Sequence, residues 1–177
     1  MKKFVPSWKR QLRREMLGAE KIAVLGVGNE LKGDDAAGLL AAKALKKQMK
    51  HKTRSPVKVI LGYETPENYT GEIRKFQPDL VLVLDAVLGG FKPGMVFPVD
   101  KEDIADNGVS THKISLTVLM AYLEQALGCR VVVLGIQPQT LELGAEISAS
   151  VKRSIENIAD YLSGILRIGR SGFIKGN

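Results

Sequence analysis

The chain has a single cysteine, Cys129, only two histidines, His51 and His112, and no apolar run approaching the ~20 residues of a membrane-spanning helix. One cysteine excludes an internal disulfide framework and a cysteine-based zinc cluster, and Cys129, just before a strand, reads as small buried filler. No signal peptide with a cleavage site is visible, so a cytoplasmic address is expected by elimination. No acidic residue stands between positions 43 and 58, which hold Lys43, Lys46, Lys47, Lys50, Lys52, Arg54 and Lys58. The net charge is +7, but no aromatic residue interleaves that basic run and no nucleic-acid motif accompanies it. A solvated helix face is therefore expected there, docking to an acidic protein comes second, and specific nucleic-acid binding is not expected. Internal repeats and low-complexity segments are also missing.

What is present is enough for one substantial core: 177 residues, 45% of them apolar. We expect a single domain over residues 1–177, with residues 1–20 as a basic, helical N-terminal extension. Trp8, Leu12 and Met16 fall on one face of that helix, Ser7 could cap it, and Gly18 ends it.

The stretch around which the chain is organised runs from Gly26 to Gly38. It follows the apolar run Ile22–Leu25 and leads into Leu39–Leu45, giving strand, glycine loop and helix in succession. A dinucleotide fingerprint would need a third glycine at position 31, which is Leu31. The spacing from Gly28 to Gly33 suits a phosphate loop, but Asp34 and Asp35 follow where Lys and Ser/Thr would be needed. Two carboxylates would repel a phosphate, so the expected ligand is a cation. Read alone, the same pair could simply cap the helix.

Further strands are expected at Val57–Leu61, at Asp79–Asp85, at Met95–Val99 as a short antiparallel piece, and at Arg130–Ile136. Residues 79–85 are apolar on both faces, as in a central parallel strand. Helices are expected from the loop to about Met49, in a short piece ending at Phe76, after His112, and from about Ser148. Asp103–Asn107 reads as one helical turn. The last two long helices carry the stripes Leu116, Leu119, Met120, Leu123, Leu127 and Val151, Ile155, Ile158, Leu162, Ile165. Strand–helix alternation implies a three-layer α/β/α fold with a mostly parallel twisted sheet. Right-handed crossovers give the order 2-1-3, then the last strand, with the short antiparallel strand at an edge. A crevice opens where helices leave strands 1 and 3 in opposite directions.

Asp34 and Asp35 lie just past strand 1, Asp85 ends strand 3, and His112 opens a helix approached from the same edge. Each has a plain structural explanation, as a cap or a surface residue. Their joint arrival at one crevice points to a site. Two carboxylates and an imidazole suit a divalent transition metal with open positions. His51 lies in the solvated basic run, which leaves His112 as the imidazole ligand. No serine nucleophile elbow is visible. Asn29 and Gln137 offer hydrogen bonds at the same edge, and the sequence marks no deep hydrophobic specificity pocket.

Gly26-x-Gly28-Asn29…Gly33-Asp34-Asp35, Leu82-Val83-Leu84-Asp85-Ala86, Ser110-Thr111-His112 and Gly135-Ile136-Gln137-Pro138 occur together in this order. The set resembles the nickel–iron hydrogenase maturation endopeptidases, most closely the branch that serves formate-linked and energy-converting hydrogenases, over residues 21–165. The resemblance implies a metal site of Asp35, Asp85 and His112, with Asn29, Asp34 and Gln137 toward the substrate. It implies removal of a C-terminal peptide from the hydrogenase large-subunit precursor once nickel is inserted. The nickel would come with the precursor as a recognition handle, and the resting enzyme would hold no metal of its own. A monomer is the expected state. Two departures stand out: Leu61-Gly62 where many members have Asp-Gly after strand 2, and a longer start in residues 1–20.

Two other classes fit part of the pattern. A magnesium-binding phosphoacceptor receiver domain also has paired acids and an Asp ending strand 3. Its acids, however, follow strand 1 at once and a lysine ends its last strand, whereas Asp35 stands seven residues after Gly28 and Gln137-Pro138 closes the last strand. A non-catalytic, metal-dependent docking protein fits as well. For a protease, either a metal-polarised carbonyl with an activated water or an acid such as Asp34 or Asp35 acting as base would serve.

Overall fold

Strand β3 (Leu80–Ala86) is buried along its whole length, Asp85 included, and the sheet is built outward from it. The computed structural model describes residues 7–49, 53, 56–100 and 113–168. Strand β1 (Ile22–Val27) pairs parallel with β3, Gly26 opposite Leu84, and on its other side with β2 (Val57–Tyr63). Strand β5 (Arg130–Ile136) runs parallel along the far side of β3, with Asp85 opposite Gly135. The short β4 (Val96–Val99) closes that edge antiparallel to β5. The order is β2-β1-β3-β5-β4, as the crossover rule predicts.

β2 extends two residues beyond the expected Leu61. The backbone N–H of Gly28 donates to Tyr63 O at 2.9 Å, and a register shift after Gly26 brings Val27 opposite Tyr63. Leu61 lies inside this strand, half-buried against the helices on one face of the sheet. The position where the resemblance would place an acid is a packing position here.

Period-two alternation sorts the strand side chains into two cores. Ile22, Val24, Leu80, Leu82, Leu84, Leu134 and Ile136 face one side. There they meet α1 (Trp8–Met16), α2 (Ala37–Gln48) and the C-terminal helix α5 (Ala149–Ile168). Ala23, Leu25, Val81, Val83, Val131 and Val133 face the other side, against α3 (Thr70–Phe76) and α4 (Lys113–Leu127). The stripes Leu116, Leu119, Met120, Leu123 on α4 and Val151, Ile155, Ile158, Leu162 on α5 are buried, as their spacing requires.

The N-terminal extension is packed on this frame. Leu12 and Met16 are buried, the Trp8 ring meets Tyr161 edge-on at 5.2 Å, and Tyr161 Oη donates to Lys9 O at 2.7 Å. Ser7 sits at the cap position, but its side chain makes no capping bond; its carbonyl accepts from Arg10 and Gln11.

Helix α2 lies unusually close to the sheet, and two glycines permit it. A Cβ on Gly38 would stand 2.1 Å from Leu84 O and 2.7 Å from Asp85 N. One on Gly26 would stand 2.4 Å from Ala42 Cβ. Only hydrogen at these positions lets the helix start rest on the C-terminal end of β3.

Candidate active site

The helix does not begin directly after the glycine loop. A 3-10 turn, Gly33–Ala36, comes first, and both Asp34 and Asp35 lie in it, 0% and 4% exposed. The cap position of α2 is Ala36, with no side-chain cap. The two neighbouring acids are turned to different tasks.

Asp34 faces the segment that follows β5. Its Oδ2 accepts from the backbone N–H of Gln139 at 2.8 Å and of Thr140 at 3.2 Å, and from Ser148 Oγ at 2.9 Å. Its Oδ1 accepts from Ser148 N at 2.7 Å. One carboxylate thus holds both ends of a strap, residues 139–148. The backbone reinforces this, with Asp34 N donating to Thr140 O at 3.0 Å and Gly144 N to Leu31 O at 2.7 Å. Asp34 does not cap α2, and both oxygens of its carboxylate are taken up by the strap.

Asp35 is turned to the loop that precedes it. Its Oδ2 accepts from Asn29 N at 3.1 Å, and Asn29 Oδ1 accepts from Leu31 N at 2.8 Å, a side-chain turn that shapes the loop. Gly28, at φ +150°, lies where a Cβ would be 2.3 Å from Asp35 O, so the loop folds flat onto the acid-bearing turn. The Gly33–Ala36 turn contacts β3, and Gly38 rests on the Asp85 amide. Asp35 and Asp85 therefore both lie at the C-terminal edge of β1 and β3. Asp85 is fully buried, and its Oδ1 accepts from the following amide, Ala86 N, at 2.9 Å.

Gln137 is buried, 7% exposed, and braces the loop that follows Asp85. Its Oε1 accepts from Gly89 N at 2.9 Å and Phe91 N at 3.2 Å, while its Nε2 donates to Pro138 O at 3.3 Å. Its backbone carbonyl and amide pair with Gly94 N and Met95 O. Like Asp34, it holds a loop at the edge where the sequence places it. His112, the expected third ligand, and Asp103–Asn107 lie outside the described residues. Among the described residues no group of three metal-ligating side chains gathers.

The basic run is partly neutralised. Lys43 Nζ is 2.7 Å from Glu30 and Lys58 Nζ 3.0 Å from Glu72, while Lys46 and Lys47 are exposed on the last turn of α2. One feature had no sequence signal. Leu31 and Leu143, 68% and 76% exposed, border a pocket of about 380 Å³ beside the Asp35 loop, lined also by Glu30, Gly144 and Ala145. Loop leucines carry no period by which they could have been paired.

A fold and edge of this kind define a doubly wound α/β protein with buried carboxylates at its switch point. Comparison with known proteins makes the class specific. The family of hydrogenase maturation proteases of the HycI type matches residues 40–164. The hydrogenase 3 maturation protease of Escherichia coli K12 is 33% identical over 142 residues, 80% of this chain and 88% of the relative. The crystal structure of the NiFe hydrogenase maturation protease HycI from Thermococcus kodakarensis KOD1 superposes with a TM-score of 0.79 at 34% identity, covering 88% of this chain and 98% of that one. The solution structure of the endopeptidase HycI from Escherichia coli gives 0.69 at 32% identity, over 81% and 90%.

The chain belongs to the hydrogenase maturation protease family. It is a peptidase, which sets aside the phosphoacceptor and docking-only alternatives. Among the described residues no helix is long and apolar enough to cross a membrane.

Proposed function

We propose that this protease removes the C-terminal peptide of a nickel–iron hydrogenase large-subunit precursor in the cytoplasm, and that it recognises nickel already held by that precursor. Asp35, Asp85 and His112 would complete the coordination of the metal. The observation that carries this reading is the close approach of the Gly33–Ala36 turn and the start of α2 to the end of β3, so close that a Cβ on Gly38 would collide with Leu84 and Asp85. Two carboxylates at such an edge suit a divalent ion, and an imidazole would add the softer ligand that nickel favours. Asn29 steadies Asp35 through its amide, while Asp34 and Gln137 act one step back, by fixing the loops on either side. In the reaction one amide C–N bond breaks. A water oxygen joins the acyl carbon, and its two hydrogens are shared between the new carboxyl and amine ends. Either polarisation of the carbonyl by the precursor's nickel or proton removal from water by Asp35 would serve that step.

The reading is tested with purified protein and matched precursors, followed by intact-mass spectrometry. The nickel-loaded precursor should lose its C-terminal peptide and the nickel-free precursor should not. Asp35→Asn, nearly isosteric but lacking the anionic ligand, should lose about 100-fold or more in rate while circular dichroism stays that of the wild type. Equal cleavage of both precursor forms, or a fully active Asp35→Asn, would refute it.

A further inference from the structure

The strap and the loop before Asp35 together create something that neither acid explains. Gln139 and Thr140 at one end, and Ser148 at the other, are drawn to the single Asp34 carboxylate, so the intervening residues must project outward as a closed loop. Gly144 N then bonds Leu31 O at 2.7 Å, and this sets the strap's tip against the β1–α2 loop. The result is the pocket of about 380 Å³ lined by Glu30, Leu31, Leu143, Gly144 and Ala145. Its one charged wall residue, Glu30, is engaged by Lys43 at 2.7 Å, so the pocket offers mainly apolar surface.

We propose that this pocket is a specificity subsite that takes an apolar side chain of the precursor's C-terminal extension. The proposal rests on the protease reading above. One wall of the pocket lies on the segment that leads into the acid-bearing turn: Leu31 stands four residues before Asp35, on the loop whose Asn29 amide bonds the Asp35 carboxylate. A chain lying across the Asp35–Asp85 edge would meet Leu31 and Leu143 beside it. The size also points to a peptide side chain. Five lining residues can enclose one or two side chains, whereas a stable pairing of two copies of this chain needs about 20–30 residues a side. Leucines 68% and 76% exposed in the free protein contribute little to its folding, and their apolar surface becomes buried only when something enters.

The test uses Leu31→Ser, Leu143→Ser and the double variant of the full chain, with steady-state cleavage of the nickel-loaded precursor. The expected result for the double variant is a KM raised about tenfold, the loss that follows from leaving one apolar side chain in water. The kcat should stay within about twofold, because the reacting edge is untouched. Leu143→Met, which keeps apolar volume, should restore KM, and melting temperatures should not move. If the wild type cleaves and the double variant has an unchanged KM, the subsite is refuted. If a concentration-dependent dimer in sedimentation velocity is lost in the double variant while KM is unchanged, the pocket belongs to a second copy and the proposal is equally refuted. A wild type that cleaves neither precursor form overturns the protease reading and this inference with it, a result distinct from the other two.

Discussion

Replacing Asp34 with alanine removes an acceptor that both ends of the strap share, and the size of the effect follows from the individual bonds. Ser148 Oγ can turn to Ser150 Oγ, 3.3 Å away, so its loss is nearly recovered. The Thr140 bond is the longest of the set at 3.2 Å and contributes least. The amides of Gln139 and Ser148, at 2.8 and 2.7 Å, lose short bonds to a charged group. Bonds to charged acceptors contribute about 1.5–3 kcal/mol each, which puts Asp34→Ala about 3–5 kcal/mol below the wild type. In a chain of this length that lowers the melting temperature by about 10 °C. Asp34→Asn keeps one oxygen and should fall between the two. Urea denaturation gives the free energies, and hydrogen exchange at the Gln139, Thr140 and Ser148 amides shows where the loss occurs. A loss under about 1 kcal/mol, or unchanged protection at those amides, would refute the assignment of Asp34 as the strap's anchor.

Two further outcomes are expected. Gly38→Ala should destabilise by about 3 kcal/mol or more, because the new methyl meets backbone atoms of Leu84 and Asp85 that cannot move without breaking the sheet; a calorimetric melting point equal to that of the wild type would show that the helix can lift off freely. Burial pushes the Tyr161 phenol above its ordinary pKa, with the Arg13 guanidinium opposing. The buried neutral form therefore stabilises the fold fully below about pH 10, the unfolded value, and that contribution is lost as pH rises through the folded value. Tyr161→Phe should be less stable at neutral pH through loss of the bond to Lys9 O, yet lose less as pH rises above about 10; parallel stability curves for the two proteins would refute this.

Much of the fold was legible because period and burial are local properties. Asp79–Asp85 announces a central strand by having no polar face. The leucine and isoleucine stripes of α4 and α5 announce helices, and chirality then leaves one order for β2, β1, β3 and β5. The acids at the strand ends were legible for the same reason. What separates Asp34 from Asp35 was not, because both stand in one turn. The difference comes from donors 105 to 114 residues away, which the spacing within the loop cannot report. Gln137 was placed at the right edge, but its bracing role depends on the path of residues 89–91, a glycine-rich loop without periodicity. The Leu31–Leu143 pocket was invisible to pattern, since its two walls come from separate irregular segments. Tyr63 shows the same limit on a small scale: its place in β2 is fixed by a bond from Gly28, across the sheet.

The seating of α1 on α5 has a consequence for how the chain reaches this structure. Lys9 Nζ bonds Asn157 across 148 residues of sequence, and Lys9 O accepts from Tyr161 across 152. Helix α2 relies on the same late element, with Gln48 Nε2 donating to Asp160 at 2.7 Å and Gln48 O accepting from Arg167. Both α1 and α2 thus have partners in α5, more than a hundred residues later in the chain. Until α5 is synthesised, the α1–α2 face of the sheet has no cover from it, and the loops to be closed are more than a hundred residues long. That half cannot complete its core before residues 149–168 are made, so a nascent chain stalled before residue 149 would expose a strip of leucine, valine and isoleucine to whichever chaperone reaches it first.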